Sequence, residues 1–180
     1  LKTPYIQGHL DGLCGVYAIV NSLCSLYNLN RKQAEEIFKL CVKTIDHKVS
    51  HAICNGMGNH DIRLCLKQVS FWLEKNNYGC LGWEQVFKNE EIKSIRTWLR
   101  ALHNAIDNFE AIAIVGFDYP HAHWTVVSLT TKKTLKFIDS EKMKKVNKSK
   151  LTIRQSQNKK KWIVDTEATF ILYKLEKGKK

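Results

Sequence analysis

In HWTVVSLTTKKTLKFIDS, His123 to Ser140, two runs rich in β-branched and aromatic residues flank the polar TTKK, which reads as two antiparallel strands around a turn. With the turn centred on Thr131, His123 stands opposite Asp139, and directly opposed β-carbons lie about 4.5–5.5 Å apart. At that distance the carboxylate accepts a hydrogen bond from imidazole Nδ1, which fixes the tautomer and aims Nε2 at a nucleophile. A register one residue off puts the two side chains on opposite faces.

On either side of this hairpin, AIAIVGF (Ala111–Phe117) and ATFILYKL (Ala168–Leu175) read as further strands. Before Asn108 the period is helical. Cys14 to about Tyr27 carries Val16, Ile19, Val20, Leu23, Cys24 and Tyr27 at three- and four-residue spacing, a buried helix with Cys14 in its first turn. A second helix starts at Asn30, with Gln33 completing a capping box. From His47 to Asn59 the pattern breaks around NGMGN, a Gly-rich loop, Asp61 is expected to cap a third helix, and a fourth runs from about Glu90 to Ile106. The plan is α+β in a single domain over residues 1–180, with N-terminal helices, including a central Cys-bearing one, packed on an antiparallel β-sheet.

Ahead of the first helix stands QGHLDGLCG, Gln7 to Gly15. A helix N-terminus presents unpaired N–H groups and a partial positive charge, which favour a thiolate and also an oxyanion formed when that thiolate attacks a carbonyl. Gly12 and Gly15 are expected to leave the space around Cys14 open to a substrate, and the Gln7 amide is a candidate second oxyanion donor. Taken alone, Cys14 reads nearer to a core thiol than to a nucleophile. The His123–Asp139 pair supplies the base and orienting group that make it a candidate nucleophile.

The chain carries 29 Lys and Arg against 17 Asp and Glu, a net charge of +12. Lys142 to Trp162 holds nine of the basic residues and no acid, a solvated face or a surface for an acidic partner or nucleic acid. That basic segment, used as a nucleic-acid or protein-binding module, is the alternative to hydrolysis. Its binding would fall steeply with salt and survive loss of Cys14. Of the six cysteines, Cys24, Cys41 and Cys65 sit in apolar helical patterns as reduced core residues. No apolar run reaches the ~18–20 residues of a membrane span, and LKTPYIQGHL lacks the form of a signal peptide, so a cytoplasmic protein is expected. His47, His51, Cys54, His60 and Cys65 cluster in sequence but match no common zinc spacing, and neither a metal nor a cofactor is expected.

Gln7, Cys14-Gly15 opening a helix, His123-Trp124 opening a strand and Asp139-Ser140 ending the next resemble the papain-like cysteine peptidases in their order along the chain. The resemblance runs from Gln7 to Ser140 and rests on short motifs. Leader peptidases attached to bacteriocin exporters share the Gln, Cys-Gly, His and Asp layout. Josephin deubiquitinases share the His-Trp strand and its hairpin, and DGLC is similar to the Asp-Gly-x-Cys of ovarian-tumour deubiquitinases, whose His lies nearer the C-terminus. The resemblance implies a papain-like fold in which Cys14 is the nucleophile, His123 the general base and acid, and Asp139 the orienting group. Gln7 stands seven residues before Cys14, where many of these enzymes have five or six, so His9 or a backbone N–H is the alternative oxyanion donor. The implied substrate is a peptide or protein, with ubiquitin-like modifiers among the candidates, cleaved at a peptide, isopeptide or related acyl bond.

Overall fold

The computed structural model describes residues 3–8, 11–88, 90–92, 94–109, 111–153 and 161–175. In chain order the elements are helices α1 (Cys14–Tyr27) and α2 (Arg31–Thr44), a 3-10 turn (Asp46–Lys48), α3 (Val49–Asn55), α4 (Asn59–Lys75), strand β1 (Cys80–Gln85) and α5 (Ile95–Phe109). There follow β2 (Ile112–Tyr119), β3 (His123–Thr130), β4 (Thr134–Ile138), β5 (Lys145–Asn147), a second 3-10 turn (Lys148–Lys150), β6 (Leu151–Thr152) and β7 (Trp162–Leu175). This is an α+β plan with a largely antiparallel sheet, but the expected order of helices first and sheet second is broken by β1, which precedes α5.

Local signals explain the helix limits. Helix α1 buries Val16, Ile19, Val20, Leu23 and Cys24 and stops where Asn28 turns left-handed at φ 54°. At α2 the Asn30 side chain accepts from Gln33 N–H, and Gln33 Oε1 accepts from Asn30 N–H, the expected capping box. Asp61 does not stand at the cap of α4 as expected. The helix begins two residues earlier, and Asp61, in its first turn, reaches back to accept from Gly58 N–H at 3.1 Å. Part of the span read as a loop before it is the short helix α3, which buries only Ala52 and so leaves no periodic apolar signature.

The sheet runs β1-β7-β2-β3-β4-β5, each neighbouring pair antiparallel, with β6 added parallel to β7. Both faces are covered. Ile112, Ile114, Trp124, Val126 and Phe170 pack with α1, α2 and α4, while Ala113, Val115, Val127 and Ile171 pack with Trp98, Leu102 and Ile106 of α5. The period-two alternation of strand side chains divides β2 between the two cores.

The β3–β4 register differs from the one expected. Thr130 pairs with Leu135 and Leu129 with Lys136, then a bulge at Ser128 shifts the pairing to Val127 with Phe137 and Val126 with Ile138. Continued past the end of β4, this register sets His123 across from Glu141 and two positions from direct opposition to Asp139. A two-residue offset keeps His123 and Asp139 on one face. Without the bulge the offset would be odd, and Asp139 would point away.

Of the basic segment, residues 154–160 lie outside the described residues, as does His9. Its described part turns Val146 and Leu151 into the core beside α5 and leaves Lys142, Lys144, Lys145 and Lys150 exposed. No helix among the described residues is long and apolar enough to cross a membrane.

Candidate active site

Cys14 is the first residue of α1, 6% exposed, with its sulfur 3.8 Å from Gly12 O. No side chain caps this helix start, because the capping position is Leu13. The N–H groups of the first turn thus remain directed at whatever approaches Cys14. Of the two glycines beside it, Gly12 lines the cleft, and both also serve close packing. A β-carbon on Gly12 would lie 2.6 Å from Ile53 O, and one on Gly15 would lie 2.9 Å from Ile62 Cδ1 and 3.0 Å from Met57 Sδ. They let α3 and the loop after it press against the start of α1, with Gly12 N–H donating to Ile53 O at 2.8 Å. The open space lies on the side facing β3.

There His123 and Asp139 form a buried pair, with side chains 2% and 0% exposed. His123 Nε2 lies 2.7 Å from Asp139 Oδ2, and Asp139 Oδ1 accepts from the N–H groups of Glu141 at 2.8 Å and Met143 at 2.9 Å. The bond thus runs through the opposite ring nitrogen from the one expected. The diagonal register brings the far edge of the imidazole, not the near one, against the carboxylate. With Nε2 donating to Asp139, Nδ1 is the nitrogen left for chemistry. Among the described residues no well-aligned hydrogen bond reaches it; the Cys14 thiol is near enough to interact with the ring, and Glu141 Oε1 stands 3.4 Å from Nδ1.

Electrostatics make this pair charged. Burial by itself disfavours the imidazolium, but the bond to Asp139 and the neighbouring Cys14 sulfur outweigh it and push His123 up to about 10. For Asp139 burial acts to raise the carboxyl, and His123 together with Met143 N–H holds it below its ordinary value instead.

Gln7 reaches the same cleft through two anchors. Asn21 of α1 takes Tyr5 N–H at 2.8 Å and donates to Tyr5 O at 3.1 Å, which ties the extended residues 3–8 to the helix. Gln7 N–H then donates to Ser140 O at 3.1 Å, and Ser140 Oγ donates to Gln7 Oε1 at 3.3 Å. Its Nε2 donates to Asp11 O, leaving one amide hydrogen of the two.

A cleft of about 460 Å³ is lined by Gln7, Cys14, His123 and Glu141 together with residues 55–59. Three of the four residues singled out in the sequence therefore line one cavity, and Asp139 sits buried behind His123. Trp124 is core as expected, 7% exposed, and its Nε1–H donates to Met57 O at 2.7 Å, fastening the loop to β3. Glu141, which the sequence reading did not place, lines the cleft, and its Oε2 lies 2.9 Å from Nε2 of the exposed His121. Glu141 becomes legible only once the register is known, since it falls opposite His123.

No pair of the six cysteines forms a disulfide. Cys41 and Cys65 are buried together, and their mutual hydrogen bond, with burial, raises the Cys41 thiol well above its ordinary value. Cys54 is exposed at the cleft wall. Neither a protein-family model nor a curated protein sequence matches the chain.

Proposed function

We propose that the protein is a cysteine-dependent hydrolase of papain-like plan that cleaves a peptide, isopeptide or related acyl bond with Cys14, His123 and Asp139. The observation that carries this reading is the buried, charge-favouring His123–Asp139 pair whose uncommitted Nδ1 faces the same cleft as Cys14 at an uncapped helix N-terminus.

In this reading the Cys14 proton resides on His123 Nδ1, and the thiolate attacks the substrate carbonyl carbon. The C–S bond forms as the carbonyl π pair moves to oxygen, where first-turn N–H groups and the remaining Gln7 amide hydrogen receive the negative charge. Collapse of that intermediate breaks the bond to the leaving amine, which takes the proton from Nδ1. Water then enters, returns a proton to Nδ1, and releases the acid from sulfur. Throughout, Asp139 keeps the ring in one tautomer and stabilises its charge.

A panel of electrophilic probes, with peptide and ubiquitin-type recognition elements, tests this on wild type and Cys14→Ala. The expected result is a single adduct on Cys14 with at least one probe and none in the variant. Adducts of equal yield in both would contradict it.

A further inference from the structure

The cleft mouth holds one group of side chains that the hydrolase reading leaves unexplained. His121 Nε2 lies 2.9 Å from Glu141 Oε2, and His123 Nδ1 lies 3.4 Å from Glu141 Oε1. All three potential ligand atoms fall within 4.8 Å of one another. The contact between His121 and Glu141 pairs those two residues, while His123, a side chain only 2% exposed, has the Cys14 thiol beside its ring but no well-aligned hydrogen bond at Nδ1.

We propose that His121, His123 and Glu141 bind a divalent transition-metal ion of the zinc type, and that the bound ion switches the Cys14 site off. The switching half rests on the hydrolase reading, whereas the binding half stands without it. A four-coordinate zinc with bonds of about 2.0–2.2 Å holds its ligand atoms about 3.4 Å apart. His121 Nε2 and His123 Nδ1 lie 2.9 and 3.4 Å from different oxygens of Glu141, and one ligand atom from each residue falls within 4.8 Å of the others, so small movements of the exposed His121 and Glu141 side chains reach that spacing. The donor set selects the ion, since two imidazoles and one carboxylate suit zinc better than calcium or magnesium, which take oxygen ligands.

Behind the site stands the support that metal-binding histidines ordinarily have. His123 donates its other ring N–H to a carboxylate, and that carboxylate is itself fixed by the Glu141 and Met143 N–H groups. Only the nitrogen facing the cleft is left to ligate. An ion there displaces any proton on Nδ1 and occupies the lone pair that Cys14 deprotonation needs, so the nucleophile loses its base. This group is separate from the His47–Cys65 cluster, whose Cys65 is committed to the core, where its Sγ donates to Cys41 O at 3.7 Å.

The test is titration of metal-free full chain with zinc against a chromophoric chelator, paired with iodoacetamide alkylation of Cys14 with and without saturating zinc. The expected result is one zinc per chain, bound at least tenfold more weakly by His121→Ala and by Glu141→Gln. In wild type that zinc slows Cys14 alkylation at least tenfold, and at the same concentration His121→Ala escapes most of the slowing. Affinity unchanged in both variants, or binding lost only in Cys14→Ala, would put the ion on the thiol and overturn the proposal. Hydrolysis that rises with zinc would overturn the inhibitory half. Alkylation in chelator-treated buffer reads the hydrolase proposal separately, so either can fail while the other stands.

Discussion

Cys14→Ala and His123→Ala each lower kcat/KM on a probe-identified substrate by at least about 10⁴-fold, and the double variant is no worse than either alone. The non-additivity is the informative part. A nucleophile and its base act as a unit: without the sulfur there is no bond to form, and without Nδ1 the sulfur keeps its proton and the leaving amine receives none. What remains in each variant is binding and the donors of the helix start, which the substitutions do not touch. Steady-state rates on the three variants in chelator-treated buffer, with circular dichroism to verify folding, check this. Either single variant within tenfold of wild type would contradict it.

Asp139→Ala has the largest expected effect on stability, about 3–5 kcal/mol, because it leaves a buried cation without its anion. The pH dependence follows from the same pair. His123 is raised to about 10 in the folded chain from an ordinary 6.5, so its contribution is fully present below 6.5, falls above that, and is lost as pH rises through about 10. Asp139 is shifted down, so its contribution is present above its ordinary 3.8 and is lost only as pH falls through its lower folded value. The groups facing the imidazole are Asp139, Cys14, Glu141 and the His121 ring, whose centroid lies 5.5 Å from that of His123. Urea denaturation between pH 6 and 10.5 is expected to show wild type losing its advantage over His123→Gln across that window. Parallel curves for the two proteins would contradict the charged pair.

Much of the site could be read from residue order because it rests on local rules. Cys14 opens α1 where the apolar spacing begins, and Asn30 and Gln33 cap α2 through their own side chains. The faces of His123 and Asp139 depend only on whether their offset is even or odd. That parity came out as expected although the turn centre did not, because the Ser128 bulge restored it. A bulge leaves little trace in composition, and hence the exchange of ring nitrogens and the position of Glu141 were not legible.

The missed strands have separate physical reasons. In β1 (CLGWEQ) the place of a side chain at Gly82 is filled by the ring of Tyr173, its cross-strand partner, so the strand shows no clean alternation. Strands β5 and β6 are three and two residues long, too short for any period to appear. The packing role of Gly12 and Gly15 was not legible because a glycine before a helix looks the same whether a ligand or a packed backbone approaches it.

The central claim is that Cys14 is an activated nucleophile and not a core thiol, and site-resolved alkylation tests it most directly. Exposure alone ranks Cys54 as the fastest of the six cysteines and the buried Cys14 among the slowest. Iodoacetamide at neutral pH in chelator-treated buffer, followed by peptide mapping over time, is expected to modify Cys14 at least tenfold faster than Cys54. His123→Ala is expected to remove that advantage. Cys54 reacting first in wild type, with Cys14 rates unchanged by His123→Ala, would return Cys14 to the core and contradict the account.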